Sequence, residues 1–99
     1  MSMRSITSCL GYQQITSLAT AVGLTVPTLS PDGLQCSPSV AVIIPPGGGI
    51  RWRDDGIAPT ASVGMPVTEN GVLEYDGDLN KIRFIQQGTG AVLNVVYYS

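Results

Sequence analysis

Glycine and proline interrupt this chain so often that most of its apolar segments are too short for an average helix. Twelve glycines and seven prolines are spread through 99 residues. Helices in globular proteins average about 11–12 residues and strands about 5–6, and the intervals between breakers fit the second figure. Ser39-Val40-Ala41-Val42-Ile43-Ile44 is β-branched and halts at Pro45-Pro46-Gly47-Gly48-Gly49. Ile50-Arg51-Trp52-Arg53 alternates apolar and charged side chains before Asp54-Asp55-Gly56 turns the chain. Glu69-Asn70-Gly71 is a hairpin-type turn signal, followed by Val72-Leu73-Glu74-Tyr75 and a second turn at Asp76-Gly77-Asp78. Turn signals about every 8–12 residues predict an all-β chain, an antiparallel sandwich or barrel rather than βαβ units. A β-sandwich, with the jelly roll as its candidate form, is the expected fold class.

Alternation assigns the faces. Ile82 and Phe84 share one side of a strand, with Lys81, Arg83 and Ile85 on the other. In the last strand, Leu93, Val95 and Tyr97 oppose Val92, Asn94, Val96 and Tyr98. Both sides of that strand are largely apolar, which suits a central strand or one covered by a second subunit. Tyr12 to Val22 has some helical spacing, but its threonines and serines are mediocre helix formers. An extended segment is expected there, with 1–20 as an N-terminal arm of a single domain spanning 1–99. Leu24-Thr25-Val26-Pro27 reads as a short strand closed by proline.

Charge is distributed unevenly. Ser5 through Ile50 carries one charged side chain, Asp32, whereas ten of the chain's twelve charges lie between Arg51 and Arg83. A soluble surface ordinarily interleaves both signs throughout. An uncharged half rich in serine, threonine and branched aliphatics points to contact with another protein. The net charge of −2 is too small for electrostatic steering, and no basic block offers itself to nucleic acid. A membrane span needs about 20 mostly apolar residues, and the charge-free stretch is broken by Gln13, Gln14, serines, threonines, glycines and prolines. Ile6-Thr7-Ser8-Cys9 has the look of a lipoprotein cleavage site, but the few residues before it include Arg4 and form no apolar run. Synthesis in a cytoplasm is therefore expected.

The inventory for catalysis is thin. There is no histidine, Lys81 is the one lysine, and no GxSxG elbow is present. Cys9 and Cys36 lack zinc-site spacing, and two reduced thiols acting as small hydrophobes are expected, although a bridge between them stays open. Asp54/Asp55 and Asp76/Asp78 sit beside glycines, where aspartate is favoured for backbone hydrogen bonds in turns. An EF-hand beginning at Asp76 fails because its sixth and twelfth positions are Lys81 and Gln87 rather than glycine and glutamate. No catalytic residue, cofactor or metal is expected, and the chain reads as a non-enzyme. Arg51, Trp52, Asp54 and Tyr75 form the one recognition-like set, an aromatic with guanidinium and carboxylate neighbours suited to a glycan.

The second half resembles a group of small tailed-phage virion proteins associated with capsid genes. The likeness is carried by the order and spacing of Arg51-Trp52-Arg53-Asp54-Asp55-Gly56, Ala58-Pro59-Thr60-Ala61, Val63-Gly64-Met65, Leu73-Glu74-Tyr75, Gly77-Asp78-Leu79, Ile82-Arg83-Phe84-Ile85, Leu93-Asn94-Val95 and Tyr97-Tyr98. The N-terminal half departs from it, with Thr28–Ser39 reading as an insertion. The resemblance implies a capsid decoration or cement protein on the virion exterior. Its partners would be the major capsid protein and its own copies in a dimer or trimer, with no nucleic acid and no membrane. The docking residues would then come from the uncharged half and the terminus: Ile6, Leu10, Tyr12, Ile15, Leu18, Leu24 and Tyr98. The alternative implied is a carbohydrate-recognition or minor tail module of a phage particle.

Overall fold

A computed structural model describes residues 9–98 and shows an all-β chain of eight strands in two antiparallel sheets. The strands are β1 (Cys9–Ile15), β2 (Val22–Gly23), β3 (Val40–Ile44), β4 (Ile50–Arg53), β5 (Met65–Val67), β6 (Leu73–Tyr75), β7 (Arg83–Gln86) and β8 (Leu93–Tyr98). Sheet A runs β1-β8-β3-β6 and sheet B runs β2-β7-β4-β5. The first strand pairs with the eighth, the second with the seventh, the third with the sixth and the fourth with the fifth. That is the set of pairs in one long antiparallel hairpin. Rolling the hairpin up brings β3 against β8 and β4 against β7, which are the two remaining pairings. The wiring is that of a jelly roll.

Period-two burial builds the space between the sheets. From sheet A, the rows Tyr97–Ala41–Tyr75 and Val95–Ile43–Leu73 face inward, and Leu93 continues them. From sheet B come Ile50 and Phe84, both fully buried, with Trp52 packed against them. Leu18, Leu79, Ile82 and Ala91 close the ends from the connecting segments. The two inward faces thus meet as one apolar layer, the usual arrangement of a sandwich.

Two local features shape the N-terminal stretch. The register of β1 on β8 slips between Cys9 and Gly11, so Leu10 is an extra residue that turns into the core. Gln13 also faces inward, where its Oε1 accepts the Tyr97 hydroxyl at 2.7 Å and the Thr25 amide at 3.1 Å. From Cys9 onward, the stretch expected to be extended is therefore an edge strand of the sandwich, followed by the core residue Leu18. Ile6 and the rest of residues 1–8 lie outside the described residues.

Some expectations need correction. Leu24–Pro27 is not a strand, because β2 ends at Gly23 and Pro27 instead packs over Gly11. Asn70-Gly71 does turn the chain, with Asn70 at φ 62° and Gly71 N donating to Thr68 O at 2.8 Å. The turn joins β5 of sheet B to β6 of sheet A, so it crosses between layers instead of closing a hairpin. The Met65-Pro66-Val67 strand was not foreseen; its central proline is tolerated because β5 is an edge.

The core makes a direct prediction. Truncating Phe84 to alanine should lower unfolding free energy in urea by about 3–5 kcal/mol. The Val72→Ala change, at a position 65% exposed, should stay within about 0.5 kcal/mol of the parent. Comparable losses at the two positions would contradict this packing.

Candidate functional site

The uneven charge along the sequence becomes a difference between the two outer faces. On sheet A the outward rows are Cys9–Tyr98–Val40, Tyr12–Val96–Val42–Glu74 and Gln14–Asn94–Ile44. Glu74 at the edge is the one charged side chain among them. Val40 is fully buried, Val42, Ile44, Val96 and Tyr98 are half-buried, and Tyr12 is 61% exposed. The Tyr12 hydroxyl and the Gln14 amide both donate to Asn94 Oδ1, at 2.7 and 3.0 Å, which fixes the polar end of the face.

Sheet B presents the opposite character. Its outward rows are Arg51–Ile85–Pro66 and Arg53–Arg83–Gly23. Arg53 and Arg83 stand directly opposite each other, an unfavourable pairing of like charges. Asp55 offsets it by accepting a two-point hydrogen bond from Arg53, at 3.1 and 2.5 Å. The bond holds the Asp55 carboxyl below its usual range and raises the Arg53 guanidinium. Arg51 folds over instead and donates to the carbonyls of Ala61 at 3.1 Å and Gly64 at 2.8 Å. Gly64 can lie this close only without a side chain, since a Cβ there would sit 3.1 Å from Trp52 O at a φ of +141°.

At one end of the sandwich, Trp52 and Tyr75 bridge the two sheets edge to face, with ring centroids 5.7 Å apart. Tyr75 Oη donates to Asp54 Oδ2 at 2.5 Å. An open cleft of about 630 Å³ lies beside them, lined by Trp52, Asp54, Val63 and Met65 among others. Trp52, Asp54 and Tyr75 of the glycan set are thus gathered, whereas Arg51 is committed to the 61–64 loop. Tyr75 is buried and Trp52 leans into the core, so neither ring is displayed as a free stacking platform.

The docking residues named from sequence separate into distinct environments. Leu10 and Leu18 are core residues, and Ile15 and Leu24 pack against the core. Tyr12 and Tyr98 lie on the outer face of sheet A. The sequence reading missed Val42, Ile44, Asn94 and Val96, which complete that face. The signal for them was the apolar character of β3 and β8 on both sides, not the N-terminal composition. Cys9 and Cys36 are free thiols, and Asp78 organises a turn by accepting Asn80 N at 3.0 Å. Comparison of the chain with family models, curated proteins and solved structures returned no match.

Both inward-facing tyrosines are held neutral by the fold. Burial pushes the Tyr97 phenol up to about 12. Burial, and then the hydrogen bond to and negative charge of Asp54, push Tyr75 up as well. A phenol raised in the folded state contributes stability that is complete below its ordinary value of about 10 and is lost as pH climbs through the folded value. The melting temperature should therefore fall between about pH 10 and 12, and fall less in a Tyr75→Phe/Tyr97→Phe variant. An equal fall in both proteins would contradict the assignment.

Proposed function

We propose that this chain is a non-enzymatic structural protein that docks on a larger assembly through the outer face of sheet A, acting as a decoration or cement protein of a tailed-phage capsid. The observation that carries the reading is the contrast between faces. One presents Tyr12, Val42, Val96 and Tyr98 with a single edge carboxylate, and the other carries Arg51, Arg53 and Arg83. An apolar face with charge depleted at its centre is the composition of an interface core. The likeness of residues 51–98 to capsid-associated virion proteins supplies the kind of partner, and jelly-roll wiring is at home in capsid architecture.

The mechanism is mechanical. A protein seated across neighbouring shell subunits removes apolar surface from water at about 25 cal/mol per Å². That free energy is lost if the subunits separate, so the shell resists rupture. The major capsid protein is the partner, the site is the capsid exterior, and no cofactor or metal takes part. The glycan-recognition alternative has less in its favour, because Arg51 is withdrawn and the Trp52 ring is turned inward.

Sedimentation with purified heads tests the reading. Val96→Lys, in the middle of the outer face, should weaken association tenfold or more, about 1.4 kcal/mol. Arg83→Glu on the opposite sheet should change it by less than about threefold. Failure of the parent protein to sediment with heads, or the reverse ranking of the variants, would contradict the proposal. Both substitutions leave β1 and the core intact, unlike removal of the N-terminal stretch.

A further inference from the structure

Among the described residues, sheet A has one unguarded edge. Its other edge, β6, is three residues long and carries Glu74. Sheet B ends on β2, with two residues, and on β5, with three residues and a central proline. Short strands, charges and prolines are the means by which sheet edges avoid pairing with other chains. β1 has none of them: it is seven residues long, CLGYQQI, without charge or proline. β8 occupies one side of it. Among the described residues, no backbone hydrogen bond from another segment reaches residues 9–15 on the other side. The 25–27 segment approaches from the core side instead, through Thr25 N on the Gln13 side chain and Pro27 against Gly11.

We propose that β1 of a second copy of the chain closes this edge, running antiparallel about a two-fold axis and joining two four-stranded sheets into one of eight strands. Charge selects the occupant. A two-fold axis brings each edge strand against its own copy, residue i meeting j and j meeting i, so a charge near the axis would lie against its like. Residues 9–15 hold no charge, and self-pairing is neutral in every register.

At about 3.4 Å per residue the seven-residue strand offers an edge about 24 Å long. Exposed apolar side chains flank it: Tyr12 lies at its middle, and Leu34 lines a cleft with Cys9 and Leu10 at its start. The one charge in that cleft, Asp32, accepts a hydrogen bond from Ser30 in its own loop. Pairing would also continue the uncharged outer rows of one copy into those of the other. The inference rests on the edge itself and holds whatever assembly the outer face meets.

Size-exclusion chromatography with light scattering, on the full chain, should give twice the chain mass of 10.4 kDa. Tyr12→Lys sets like charges across the axis and should give a monomer with an unchanged circular dichroism spectrum. If that variant does not fold, hydrogen exchange on the parent decides. The β1 amides that point away from β8 should be protected in concentrated protein and exchange freely on dilution. A monomer at the highest attainable concentration would overturn the proposal, and so would a trimer, since a two-fold strand pair saturates at two. A dimer whose β1 amides exchange like exposed loops would also overturn it.

Discussion

Strand β8 is the element on which the rest of this molecule depends. It is central in sheet A, flanked by β1 and β3, and its side chains alternate between two jobs. Leu93, Val95 and Tyr97 point inward and are at most 1% exposed. They form the floor onto which Phe84, Ile50 and Ile82 pack. Asn94, Val96 and Tyr98 point outward and form the middle column of the uncharged face. A one-residue slip of register would exchange the two sets. The Tyr97 hydroxyl on Gln13 and the Asn94 side chain under Tyr12 and Gln14 both tie β8 to β1, one on each face, and so oppose that slip.

The two faces of β8 belong to surfaces of different character. The core is completed by residues drawn from every strand pair of the rolled hairpin. Among the described residues, the outer face of sheet A carries one charged side chain, Glu74 at its edge. Sheet B, by contrast, spends its guanidinium groups locally. Arg51 pins the 61–64 loop, and Arg53 is matched to Asp55 where it faces Arg83. Two of the three arginines on that side are thus engaged within sheet B, and under the proposed function the outer face of sheet A makes the contact.

Much of this was legible in the sequence, for physical reasons that differ from element to element. β3, β4, β7 and β8 announce themselves through β-branched content, period-two alternation and sharp glycine, proline or aspartate boundaries. β2 and β5 do not, because two or three residues are too few to show a period and Pro66 contradicts strand propensity. Strand order was beyond reach, since only the β4–β5 connection joins neighbours in one sheet and every other one changes layer. The outer face of sheet A was half legible. Tyr12 and Tyr98, named from the sequence, lie on it, whereas Leu10 does not because a β-bulge, invisible in composition, rotates it inward. For Leu18 there was no strand to set its facing. The paired aspartates read as turn residues in the sequence, and Asp55 and Asp78 do accept bonds from nearby backbone amides.

The central proposal is that the charge-poor outer face of sheet A meets a capsid. Hydroxyl-radical footprinting of the protein, free and bound to heads, reads that face directly. Tyr12, Val96 and Tyr98 should lose reactivity on binding, while Met65 and Ile57, on the side of the Trp52 cleft, keep theirs. Protection of Met65 and Ile57 with Tyr12 and Val96 unchanged would place the contact on the wrong side of the molecule and contradict the account.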